Sequence, residues 1–123
     1  MIDILLVLFG LQIKHCYADF VIQTYAQTVH KGIYRDPIGI SHSLDHVWTS
    51  AAVLLLLSFF IPLHVAYVVP VVIAEGLLHY HIDWTKVKYG SKDNTKPLFW
   101  AQFGYDQLAH QITYLGMIYM LLC

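Results

Sequence analysis

Charge is scarce in this chain: Lys, Arg, Asp and Glu make up 12% of its 123 residues, where soluble domains run near a quarter. With 58% apolar residues and a mean hydropathy of +0.56, too little polar surface remains to cover a soluble body of this size. The composition is that of an integral membrane protein, and the length allows one domain, residues 1–123. Only seven residues are basic and most lie in two short loops, which excludes a nucleic-acid surface. Cysteine is nearly absent, and Cys16 and Cys123 have the spacing of neither a disulfide framework nor a zinc knuckle. A basic run and a small-residue cleavage site are both missing around Ile2 to Ile13, so this stretch reads as a retained helix rather than a signal peptide.

What the chain does have is four apolar stretches near the ~20 residues that span a bilayer. They predict helices over about 3–27, 42–61, 63–85 and 99–122, an all-α transmembrane four-helix bundle. Pro62 marks a tight turn between the second and third, and Pro70 is expected to kink the third. Six of the seven basic residues, Lys31, Arg35, Lys86, Lys88, Lys92 and Lys96, fall in the first and third connections, which the positive-inside rule places in the cytoplasm with both termini outside. Tyr25, Tyr34, Trp48, Trp84, Tyr89 and Trp100 lie near the same helix ends as an aromatic belt. Lys14 lies inside the first helix and needs a partner or a route to the interface.

Each apolar stretch carries one pair of metal-competent side chains four positions apart: His15 and Asp19, His42 and His46, His79 and Asp83, Asp106 and His110. A spacing of four puts both members on one helix face. Chance placement gives roughly two such pairs, so the distribution, one per helix and all toward the cytoplasmic half, is what points to a shared site. A carboxylate near a membrane centre costs about 2.5–3.5 kcal/mol, and a divalent ion would offset several at once. Five imidazoles and three carboxylates could serve two ions. Imidazole-rich ligation suits zinc, iron, manganese or nickel, among which the sequence does not choose. Gln12, Gln23, Glu75, Thr113 and Tyr114 continue the polar stripes as candidate supports for the ligands. Asp45 and Glu75 are candidate general bases, and Lys86 a candidate clamp for an anionic headgroup. His81 is expected to point away from His79 to the interface, and His30 and His64 to face solvent.

The run from His15 to Thr24, the pair His42/His46, the stretch from Glu75 to Lys86 and the Asp106-Gln107-Leu108-Ala109-His110 segment resemble a family of small bacterial and phage membrane proteins grouped as domain of unknown function 3307. The resemblance covers nearly the whole chain in order. It implies a bacterial or phage source and the inner membrane, and it supplies no activity. Asp45 and His81 lie outside the shared pattern.

The leading functional expectation is a metal-dependent hydrolase acting on a membrane lipid or lipid-linked phosphate at the cytoplasmic leaflet, with metal-bound water as the nucleophile. A membrane di-iron oxidoreductase is the alternative suggested by the H-x-x-x-H of His42 and His46, although further His-rich boxes are lacking. A proton or metal-ion transporter, or a non-catalytic phage membrane-interaction protein, is a third; the nearly unbroken apolar character of Val53 to Ile61 and Val65 to Val72 argues against a path through one subunit. A homo-oligomer is left open.

Overall fold

The computed structural model describes residues 1–123 as helices joined by short turns, with no strand. Helix α1, Ile2–Cys16, runs into one π-helical turn, Tyr17–Val21. The sequence reading carried this helix to about residue 27, but it stops earlier because Thr24 opens a new one. Thr24 Oγ1 accepts from the Gln27 backbone N–H (3.2 Å) while the Gln27 side chain accepts from the Thr24 N–H (2.8 Å), a reciprocal cap that starts the short α2, Tyr25–His30. Helix α3, Pro37–Leu57, begins five residues before the expected start. Asp36 Oδ1 accepts from Ile38 N–H and Gly39 N–H, and Pro37 takes the first position, where no N–H is needed.

Helix α4, Val68–Tyr89, follows a 3-10 turn at Val65–Tyr67. Pro70 therefore falls in its first turn, where the missing N–H would have little to bond, and the reason for a kink disappears. Helix α5, Pro97–Leu122, again starts on a proline.

Helices α1, α3, α4 and α5 form a ring in which each packs on two others, α1 on α3 and α5, and α4 on α3 and α5, while α2 lies against α3. At Gly76 the α3–α4 seam is tight enough that a Cβ would collide with Val47. Three segments are long and apolar enough to cross a bilayer: Ile2–Val21, Pro37–Leu57 and Val65–Tyr89. Helix α5 has the length, but Gln102, Asp106, Gln107, His110 and Gln111 make it more polar.

The outward faces carry large exposed apolar side chains such as Phe9, Leu56, Phe59, Val69 and Leu115. Inside, one end of the ring is an apolar core of Val7, Leu11, Leu54, Val68, Val71, Val72, Met117, Ile118 and Leu121, closed by a bond from His64 N–H to the Leu121 carbonyl (2.9 Å). The other end buries Lys14, His15, His42, His46, Glu75, His79, Asp83, Asp106 and His110. A polar interior under an apolar exterior reverses the soluble pattern.

Candidate metal centre

The π-helical turn presents Asp19, and extra residues of this kind often re-aim a side chain at functional positions. Asp19 Oδ1 lies 2.8 Å from His46 Nε2, 3.1 Å from His42 Nε2 and 3.8 Å from His79 Nε2. His42 Nε2 and His79 Nε2 are themselves 3.2 Å apart. Ligands about 2.0–2.1 Å from a tetrahedral ion are separated by about 3.3 Å, so these four atoms stand at nearly the spacing of a coordination shell.

Asp83 joins this group to a second. Its Oδ2 is 3.3 Å from His42 Nε2 and 3.2 Å from His79 Nε2, and its Oδ1 is 3.4 Å from His110 Nε2. Two overlapping sets result, Asp19 with His42, His46 and His79, and His79 with Asp83 and His110. Asp106 Oδ1 is 3.6 Å from His110 Nε2, so that buried nitrogen faces two carboxylate oxygens, Asp83 Oδ1 and Asp106 Oδ1, at more than an ordinary hydrogen-bond distance. Buried ligand atoms rarely go unpaired in native proteins.

His15 stands beside these sets. Its Nε2 faces two acceptors, Asp19 Oδ2 (3.2 Å) and Gln107 Oε1 (3.1 Å), so that nitrogen carries the proton. Its Nδ1 then accepts from the Tyr114 hydroxyl (2.8 Å). With both nitrogens engaged, His15 orients Asp19. Gln23 Nε2 contacts His42 Nε2 at 3.1 Å, and the Gln12 and Gln111 side chains pair beyond His15.

The acids are compensated more fully than the sequence suggested. Lys14 is buried and pairs with Glu75 while its Nζ lies 3.0 Å from His46 Nδ1. Lys31, from the first connection, reaches Asp83 Oδ2 at 2.9 Å, and Lys86 reaches Asp106 Oδ2 at 3.3 Å. Asp19 is the one acid of the cluster with no lysine within ion-pair distance; its direct partners are imidazoles.

The three residues proposed for chemistry from sequence separate in space. Glu75 is committed to Lys14, with its second oxygen unpartnered. Asp45 accepts from Gln27 Nε2 (2.8 Å) and lies outside both ligand sets. Lys86 stands at the mouth of the cluster, on a cavity of about 350 Å3 whose wall includes Asp19, Lys31, Asp83, Asp106 and Phe103. His81 is exposed and bonds the Leu77 carbonyl, and His64 is exposed; His30 is partly covered and meets Asp36 at 3.0 Å. That contact, with the Ile38 and Gly39 N–H groups, holds the Asp36 carboxyl below the usual carboxylate range.

Lys31 and the Thr24 turn are what the sequence reading missed. The signal was present in the Thr24-x-x-Gln27 spacing, which ends the first helix and folds Lys31 back toward the ligands. No curated protein and no solved structure matches the chain. Residues 7–123 match the family described as Protein of unknown function (DUF3307), and the chain belongs to that family.

Proposed function

We propose that this is a membrane-embedded metal protein, a hydrolase acting on a lipid or lipid-linked phosphate, with α1, α3, α4 and α5 all spanning and the polar end in the cytoplasmic leaflet. The observation that carries the reading is the convergence of His42, His46 and His79 on one oxygen of Asp19, next to a His110 Nε2 that faces Asp83 and Asp106.

Asp19, His42, His46 and His79 would hold the first ion, because no lysine is within ion-pair distance of Asp19 and Lys14 meets His46 only at Nδ1, not at the Nε2 that faces Asp19. The second cluster, His79, Asp83 and His110, would hold another ion only in competition with Lys31 at Asp83, and with the first position alone filled Asp106 and His110 stay free for proton transfer. Zinc, iron, manganese and nickel all suit this donor set. In a five-coordinate shell, with water beside these four donors, a metal would supply Lewis acidity and lower the pKa of that water to about 7.

The remaining steps belong to the protein. Lys31 and Lys86 orient an anionic phosphate in the 350 Å3 cavity. Asp106 takes a proton from water as its oxygen bonds to phosphorus, and His110 donates one to the departing alkoxide as the ester P–O bond breaks. Proton return from Asp106 to His110, 3.6 Å away, resets the pair. Asp106 thus replaces Asp45 and Glu75 as the proposed base.

The apolar core opposes the transport reading, since it closes the other end of the bundle with no polar side chain between Leu11 and Val7 on α1. Purified protein loaded with each metal in turn and supplied with phosphatidate in mixed micelles tests hydrolysis. Release of inorganic phosphate, abolished by Asp19→Asn and Asp106→Asn, supports it. Absence of turnover on phosphatidate and on isoprenyl phosphates with every metal would refute the enzymatic reading.

A further inference from the structure

Two outward-facing cavities on the α4–α5 seam, about 500 and 550 Å3, share Leu78, Ile82 and Ala109 and so form one groove. Its ends differ. Toward the metal cluster it is lined by Thr85, Lys86, Gln102 and Asp106, and toward the apolar core mainly by apolar residues such as Val71, Gly116 and Met120, with Glu75 and Thr113 also on the wall. From Val71 to Lys86 the helix rises about 22 Å, close to one leaflet of hydrocarbon plus its headgroup layer. Lys86 also borders the cavity beside Asp19 and a further one that holds Lys92.

We infer that this groove is the binding site for one anionic phospholipid, its phosphate at Lys86 and an acyl chain laid along Leu78, Ile82, Ala109 and Gly116. The polar end, where a phosphate would compete with Asp106 for the Lys86 ammonium, and the mainly apolar lining at the other match that ligand, and the length matches a single leaflet. Lys86 then passes the headgroup from the groove to the cavity beside the ligand set. The inference rests on the membrane placement proposed above, and it holds whether or not the bound lipid is hydrolysed.

Gly116 provides the test. A Cβ at Gly116 would meet nothing within 4 Å, so a side chain can start there into the groove, and Gly116→Trp is expected to fill it. Gly104 is equally open and lies off the groove, which makes Gly104→Trp the control.

Native mass spectrometry of the protein released from micelles containing dioleoyl phosphatidate or dioleoyl phosphatidylcholine reads the bound lipid directly. Wild type and Gly104→Trp are expected to retain one phosphatidate per chain in preference to phosphatidylcholine. Gly116→Trp and Lys86→Gln are expected to retain it at least about tenfold more weakly. Excess inorganic phosphate should leave the lipid in place, because the headgroup alone lacks the groove contacts.

Equal retention by Gly116→Trp and wild type overturns the proposal. So does displacement by inorganic phosphate, or a Gly116→Trp effect confined to oligomeric state, which would make the groove a contact between two copies. Metal content measured on the same samples separates the claims: groove-dependent lipid with no metal in any variant sinks the metal reading alone, and metal kept in Gly116→Trp shows that the variant is folded.

Discussion

At one end of the bundle Val7, Leu11, Leu54 and Leu121 are fully buried against one another; at the other, His42, His46, His79 and Glu75 are buried to the same degree. The same four helices build both ends, so backbone geometry does not separate them. In lipid the apolar end gains little from being apolar, because the tails outside are as apolar as the core, and it is held by close packing. The polar end carries a desolvation cost that must be offset by ion pairs and hydrogen bonds among its own members. A region that costs stability and is nonetheless buried is where function is sought.

The contrast breaks most sharply at Lys14. Lys14→Met alone leaves Glu75 buried without its cation and is expected to cost about 3–5 kcal/mol. Lys14→Met with Glu75→Leu should recover that loss, since apolar replacement of a buried pair is often neutral or stabilising. Thermal unfolding in detergent compares the two, and a double variant no better than the single would show that the pair does more than cancel charge.

Leu54→Ala opens a cavity in the apolar end and is expected to cost about 2–4 kcal/mol with metal content unchanged. Loss of metal in that variant would mean that the two ends are not independent. Metal itself should act on the polar end only: free ion at a hundredfold excess over its Kd adds about 2.7 kcal/mol, removed by chelation, and Asp19→Asn should abolish the difference. A chelator-insensitive melting temperature in the wild type would count against a resident ion.

The smallest effect lies outside both ends. Asp36 caps α3 and meets His30, and its carboxyl is held below the usual range mainly by that imidazole. Its contribution is therefore present above the ordinary carboxylate pKa and is lost as pH falls through the lowered folded value. Asp36→Asn should flatten this small acid-limb dependence of the melting temperature; an unchanged slope would assign it to other acids.

The helical class and the meeting of four i, i+4 pairs at one end were legible because period and spacing are local properties of the chain. Helix boundaries were legible in part: Asp36-Pro37 and Thr24-x-x-Gln27 are written in the sequence, yet the apolar runs on either side masked them. The pairing of Lys14, Lys31 and Lys86 with Glu75, Asp83 and Asp106 was not legible, because partners 20 to 61 positions apart are fixed by tertiary packing. The division of labour within the first pair, with Asp19 in a ligand set and His15 behind it, depends on a π-helical turn that no spacing rule announces.

Elemental analysis of the protein purified in mild detergent, after growth with zinc, iron, manganese and nickel supplied, tests the central claim most directly. At least one equivalent of a single transition metal per chain, lost in Asp19→Asn and His79→Ala and kept in Leu54→Ala, is the predicted result. No stoichiometric metal in the wild type would contradict the account and leave the polar end as a hydrogen-bonded network alone.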